Sequence, residues 1–175
     1  MNSNKFYIVR FLAIFCFLFT QCGSIEYKEL FGFTFDVGEK ITFHHEFGGI
    51  QGDGLDVEIY KGNPEQYQRF NNLPDSFFAE YPKASLNINN FQKVCKWQKV
   101  PVQAKDKDAF KFAESAISGL YSKKSQKKYH QASEIFSTLS KHPSTIYAYF
   151  FDGDDIDFWM VNPQLCYFMY VSLYT

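Results

Sequence analysis

The feature that most constrains the fold is a set of three strand-like runs near the C-terminus: Thr145–Phe151, Ile156–Val161 and Leu165–Leu173. Each run is dense in β-branched and aromatic residues, which favour strands. Asp152-Gly153 and Asn162-Pro163 separate the runs, and both pairs are typical of turns. The pattern therefore predicts a three-stranded antiparallel meander. Because its strands are apolar on both faces, we expect it at the centre of a sheet.

A strand pair is also predicted at Lys40–Lys61, where two alternating segments flank a turn that is dense in glycine. The alternating positions are Ile41, Phe43, His45 and Phe47 in the first segment and Leu55, Val57 and Ile59 in the second. Glycine reaches backbone angles that other residues rarely adopt, and it lets a ligand or a backbone approach closely. The turn is therefore the candidate binding loop, and its residues are Gly48, Gly49, Gly52, Asp53 and Gly54.

Helical patterns lie between the hairpin and the meander. Asn63 and Pro64 predict the start of a short helix. Asp106–Ser122 and Gln131–Ser140 predict two further helices, the first with apolar residues at three- and four-residue steps. Phe91–Val100 is an additional strand-like segment. Together the patterns predict an α+β fold, in which an antiparallel sheet of N-terminal hairpin and C-terminal three-strand meander carries one or two helices on one face.

The first 21 residues differ in character from the rest of the chain. Lys5 and Arg10 are basic, and Phe11–Thr20 is an apolar run of ten residues. That length is short for a membrane-spanning helix and typical of the core of a signal peptide. We therefore expect residues 1–21 to be a signal peptide that exports the remainder.

Cys22 follows directly after this segment and precedes two small residues. The arrangement resembles the lipobox of bacterial lipoproteins, in which the cysteine is acylated and becomes the first mature residue. Gln21 departs from that pattern, which has Gly, Ala or Ser at this position. The resemblance implies a cell-envelope protein anchored by palmitate-type acyl chains, with residues 22–39 as lipidated cysteine and linker and residues 40–175 as one α+β domain. An ordinary secretory signal cut near Cys22 and an uncleaved anchor are the alternatives.

The charge of the chain limits its partners. The formal net charge is −1; loss of Lys5 and Arg10 from the 18 basic residues leaves 16 against 19 acidic residues, a net charge of −3. This balance excludes a strongly basic nucleic-acid binder. The expected partners are the membrane, through the lipid anchor, and another envelope protein.

Two cysteines stay unassigned after Cys16 leaves with the signal peptide and Cys22 is acylated, namely Cys95 and Cys166. An even pair in an exported protein is a candidate disulfide. Both lie in apolar, strand-like runs, so two buried free thiols are the alternative. No cysteine spacing in the chain is typical of a zinc site.

Few residues in the chain indicate a reaction. His44 and Glu46 would share one face of a strand, which supplies two ligands where a metal site needs three or four. The acidic segment Asp152–Asp157 lacks the glycine and glutamate positions of an EF-hand loop and predicts an acidic turn. The sequence also lacks a P-loop, a nucleophile elbow and a Rossmann fingerprint. It therefore assigns no catalytic residue, no metal ligand and no cofactor.

Three segments carry a further resemblance: Gly48–Gly54 (GGIQGDG), Trp97–Val102 (WQKVPV) and Leu165–Thr175. They resemble segments of a loosely related set of small, uncharacterised bacterial exported proteins with a GGxxGDG turn. Ile50 and Gln51 replace Phe and His of that set, so no role of that histidine carries over. The resemblance implies a shared fold and no particular mechanism.

These observations predict a binding module that contacts its partner through the glycine loop and the adjacent sheet surface. One alternative is a hydrolase-type enzyme with a cleft lined by His44, Glu46 and Asp53. Another is an immunity-type lipoprotein that neutralises a toxin at the cell envelope.

Overall fold

An antiparallel sheet of six strands organises the residues that the computed structural model describes, which are 22–48, 53–87, 89–119 and 126–175. The strands are β1 (Glu39–Gly48), β2 (Asp53–Lys61), β3 (Lys93–Lys99), β4 (Ile146–Phe151), β5 (Ile156–Asn162) and β6 (Tyr167–Tyr174). Their order across the sheet is β1-β2-β6-β5-β4-β3. The predicted hairpin and meander are therefore neighbours, and the meander lies in the interior of the sheet. The α+β prediction is confirmed.

The described residues also form five α-helices: α1 (Cys22–Phe31), α2 (Pro64–Tyr67), α3 (Asp75–Glu80), α4 (Lys107–Gly119) and α5 (Gln126–Leu139). The predicted start of α2 is confirmed, because the side chains of Asn63 and Gln66 each accept a hydrogen bond from the other's backbone N–H. Within the described residues, no helix has the length and apolar character needed to cross a membrane.

Helices α4 and α5 cover one face of the sheet, as the sequence predicts. The α4 residues Phe110, Ala113 and Ile117 recur at steps of three and four residues and are all buried. The ring of Phe110 lies edge-on to the rings of Tyr147 and Phe158, with centroids 4.8 and 4.9 Å away. The apolar stripe of α4 therefore packs directly on β4 and β5.

Asp106 fixes the start of α4 to the sheet. Its buried carboxylate accepts hydrogen bonds from the hydroxyls of Tyr147 (2.8 Å) and Tyr149 (2.5 Å), both on β4. A negative charge directly before α4 also faces the positive end of the helix dipole. Burial, reinforced by the hydrogen bond to Asp106, raises the pKa of both tyrosines, so both hydroxyls remain donors at neutral pH.

The N-terminal part of the structure forms an aromatic layer on the other face of the sheet. The sequence predicts a linker over residues 22–39, whereas the structure places α1 there and buries Leu30, Phe31 and Val37. Leu30 and Phe31 follow Tyr27 by three and four residues, so one side of α1 is apolar and packs on the sheet. Residues 27–37 are therefore part of the folded domain rather than a linker.

A bulge in β3 decides which face of the sheet Trp97 joins. Cys95 pairs with Tyr149 and Gln98 with Tyr147, so β3 carries one more residue than β4 over this interval. The extra residue reverses the alternation of side chains. Cys95 consequently joins the core under α4 and α5, whereas Trp97 is buried in the aromatic layer beside α1.

Candidate functional site

The glycine loop lies at one end of the sheet. Gly48 ends β1 and pairs with Asp53, the first residue of β2. Gly49 and Gly52 lie outside the described residues, and so does the side chain of Asp53. Gly54 pairs with Tyr174 in the neighbouring strand, so the loop leaves the sheet where β6 ends.

The turn between β4 and β5 lies at the same end and is acidic, as the sequence predicts. A carboxylate oxygen of Asp152 accepts from the backbone N–H of Asp155 at 3.0 Å, and Gly153 supplies the left-handed backbone, with φ of 110°. The carboxylate of Asp155 in turn accepts from the backbone N–H of Thr175 at 2.6 Å. These bonds hold the turn against the end of β6, beside the glycine loop. We refer to this region, defined by Gly48, Asp53, Gly54, Asp152–Asp155, Asp157 and Tyr174, as the loop end.

Asp157 is the buried carboxylate of the loop end, with 7% of its surface exposed. One of its oxygens accepts from the hydroxyls of Tyr170 (2.7 Å) and Tyr174 (3.0 Å). Burial raises the pKa of the Asp157 carboxyl, and the tyrosine hydrogen bonds partly oppose that rise. Burial and this carboxylate together raise the pKa of Tyr174 to about 12.

Rows of cross-strand neighbours extend the site over three strands. Asp56 on β2 is opposite Ser172 on β6, which is opposite Asp157 on β5. In the next row, Tyr170 separates Glu58 from Trp159, and the rings of Tyr170 and Trp159 stack with centroids 5.7 Å apart. Carboxylates and stacked rings on one surface are the groups that attract cationic side chains.

Glu58, which belongs to the second of these rows, contacts two further side chains. Glu58 accepts from the hydroxyl of Tyr60 at 2.5 Å and pairs with the ammonium group of Lys40 at 2.8 Å. The buried hydroxyl of Ser172 lies between Asp56 and Asp157 in the first row, and it helps to lower the pKa of the Asp157 carboxyl against the effect of burial. The surface beside Asp157 therefore combines an ion pair with a buried hydroxyl next to a buried carboxyl.

The residues of the predicted hydrolase cleft are placed only by their backbone. His44 pairs with Val57 and Glu46 with Leu55, while the side chains of both lie outside what the structure describes. Among the described residues, no group of three or more His, Cys, Asp or Glu is arranged to hold a metal ion. The enzyme alternative therefore remains a prediction.

The two cysteines of the candidate disulfide are buried free thiols. Cys95 lies in the core beneath α4 and α5, and Cys166 in the aromatic layer on the other face of the sheet. The sheet thus separates the two sulfur atoms, which agrees with the free-thiol alternative. Cys22 is the first residue of α1, and its side chain is outside the described part.

A shallow groove of about 570 Å³ lies away from the loop end. It is lined by residues that include Phe35, Asp36, Gln66 and Arg69. Asp36 accepts a hydrogen bond of 2.6 Å from the side-chain amide of Gln66 and one of 2.9 Å from the backbone N–H of Gly38. The groove is open, and its Asp36 and Arg69 contact neighbouring residues of the same chain.

No family model, curated protein or solved structure matches this chain. The resemblance through the GGxxGDG turn therefore stays a prediction, as does the lipobox resemblance. Function has to be inferred from the residues of the site themselves.

The sequence pattern does not identify the central group of the candidate site, because Asp157 ends the acidic segment Asp152–Asp157, which predicts only a turn. It stands instead within the apolar strand β5, where a lone carboxylate needs a partner. Two tyrosines four residues apart in β6, Tyr170 and Tyr174, lie on the same face of their strand. A carboxylate within an apolar strand, together with two tyrosines on one face of the next strand, is the sequence pattern that indicates this buried network.

Proposed function

We propose that this protein is an exported, lipid-anchored protein of the bacterial cell envelope that binds another protein through the loop end. Export and anchoring rest on the apolar run Phe11–Thr20 and on Cys22 directly after it. Binding rests on the loop end, where the residues that flank the glycine turn lie at the same end of the sheet as the acidic turn and the Asp157 network.

The observation that carries the binding proposal is the concentration of carboxylates at one end of the sheet. Asp152 and Asp154 are exposed, Asp155 is half-buried, and Asp157 lies behind them. Such a cluster favours a partner with a basic segment, because opposite charges speed encounter and fix orientation. The adjoining rings of Tyr170 and Tyr174 are half-buried and can pack on the aliphatic or cationic parts of that segment.

A site-specific photo-crosslinking experiment tests the binding proposal in cells that make the anchored protein. A photoreactive residue at Asp154 should give a discrete crosslinked product, whereas one at Glu114, an exposed carboxylate on α4, should not. Changing Asp152 and Asp155 to Asn should reduce the product from position 154. Equal products at both positions, or none at 154, would contradict the proposal.

Acyl labelling tests the anchor. Cys22→Ala should abolish incorporation of a palmitate analogue and release the protein from membranes. Cys166→Ala is the matched control, because it removes a buried thiol and leaves Cys22 unchanged. Undiminished labelling of Cys22→Ala would refute acylation at this residue.

A further inference from the structure

The position of α1 limits how far an anchored domain can lie from its membrane. The helix begins at Cys22, and Tyr27 already packs against Phe35 and Phe168, with ring centroids 5.8 and 6.0 Å away. Five residues of helix span only about 8 Å, at a rise of roughly 1.5 Å per residue. This step rests on the proposed anchoring at Cys22.

The contacts of α1 oppose its release as a tether. The ring of Phe31 stacks on Trp97 with centroids 5.1 Å apart, and the Trp97 indole donates to the carbonyl oxygen of Leu30. The backbone carbonyl oxygen of Glu29 accepts from the backbone N–H of Lys83 at 2.9 Å, and its carboxylate accepts from the hydroxyl of Ser85 at 2.5 Å. Detaching α1 would expose buried aromatic surface and break these bonds.

The surface around α1 suits a membrane interface. Half-buried rings there have cations above them: the guanidinium of Arg69 lies 5.2 Å from the ring centroid of Phe33, and the ammonium group of Lys83, which also pairs with Glu80 at 3.1 Å, lies 4.6 Å from that of Tyr81. Aromatic rings beside basic side chains are typical of protein surfaces at the level of lipid head groups. We call this surface the α1 face and define it by Tyr27, Phe33, Arg69, Tyr81 and Lys83.

We propose that the α1 face contacts the bilayer surface, and that α1 holds the domain flush against the membrane instead of on a flexible tether. The occupant of this face is the head-group region of a phospholipid bilayer. Helices α4 and α5, on the far side of the sheet, then face away from the membrane. Tyr170 and Tyr174 lie on the same face of the sheet as α1, whereas the turn Asp152–Asp155 lies at the end of the sheet, where a neighbouring protein can reach it.

Fluorescent labels on the two sides test this proposal in the mature, acylated protein that begins at Cys22, reconstituted in vesicles of phosphatidylethanolamine and phosphatidylglycerol. Gln68→Cys places a label on an exposed position beside Arg69, and Lys111→Cys places one on an exposed position of α4. Cys95 and Cys166 are buried, so the introduced thiol takes the label. A quencher attached to lipid head groups should quench the label at 68 several-fold more than the label at 111.

Vesicle flotation, measured first, separates failure of the anchor from failure of the orientation. Failure of the protein to float would contradict the proposed anchoring at Cys22. Flotation with equal quenching at positions 68 and 111 would overturn the proposal that the α1 face contacts the membrane.

A flexible insert after Ser24 tests the part played by α1. Twenty Gly/Ser residues reach roughly 25 Å, so the domain should lose its fixed orientation and the difference in quenching should disappear. Persistence of the full difference would overturn the part assigned to α1.

Discussion

The indole Nε1 of Trp97 donates a hydrogen bond of 2.8 Å to the carbonyl oxygen of Leu30, and this bond joins the edge strand β3 to helix α1. It exists because the β3 bulge turns Trp97 toward the aromatic layer, away from the side of Cys95. Both partners are buried, so the carbonyl oxygen has no access to bulk water as a substitute. One irregular residue in an edge strand thereby fixes the N-terminal segment in the core.

Trp97→Phe should lower the free energy of unfolding by about 2 kcal/mol, because it leaves a buried carbonyl without its donor and removes part of a buried ring. Urea denaturation followed by circular dichroism measures the change. Trp159→Phe removes the same atoms from a tryptophan that stacks on Tyr170, and it should cost less. An equal loss in the two variants would argue against a specific role for the bond to Leu30.

Asp106→Ala should destabilise the protein by about 3 kcal/mol, because it leaves the buried hydroxyls of Tyr147 and Tyr149 without their charged acceptor. A double-mutant cycle with Tyr149→Phe isolates the bond between Asp106 and Tyr149. The two effects should be less than additive. Strict additivity in denaturation measurements would mean that this hydrogen bond contributes nothing to the link between α4 and β4.

Much of this fold follows from periodicity and turn chemistry. The meander and its order in the sheet were predictable, since dense β-forming runs alternate with Asp152-Gly153 and Asn162-Pro163. The inward face of α4 was predictable for the same reason. The role of α1 was not predictable, because its ten residues have the composition of a linker. Leu30 and Phe31 are held by contacts with Trp97, and the bulge in β3 places Trp97 on their side of the sheet. Local pattern does not show contacts between residues so far apart in the chain.

The candidate site combines a loop that the sequence predicts with residues that the sequence does not indicate. The glycine loop stays a predicted binding loop, and the structure places Asp157, Tyr170 and Tyr174 on the strands that meet at the same end of the sheet. Those three residues are distant from the loop in sequence. The pairing of β6 with β2 on one side and with β5 on the other brings them to the same part of the sheet as Gly54.

Cys95 and Cys166 should both resist thiol reagents in the native protein and react once it is unfolded, because both are buried. Burial raises the pKa of the Cys95 thiol to about 12, which leaves almost no reactive thiolate at pH 8. Labelling with a maleimide, followed by mass spectrometry with and without urea, checks this expectation. Rapid native labelling, or a mass that indicates a disulfide between the two residues, would contradict the arrangement of the cysteines on opposite faces.

Asp157 should make the stability of the protein depend on pH in a predictable direction. Because burial raises the pKa of this carboxyl in the folded state, its favourable contribution is fully present below its unfolded pKa and is lost as pH rises through the raised folded pKa. Asp157→Asn removes that dependence, so the stability of the wild type relative to this variant should improve as pH falls from about 7 toward about 4. Tyr174→Phe removes a donor that opposes the rise, and the improvement should then begin at a higher pH. Urea denaturation across this range measures both effects. If the free energy of unfolding of the wild type falls relative to that of Asp157→Asn on acidification, the ionised carboxylate is the form that the fold favours.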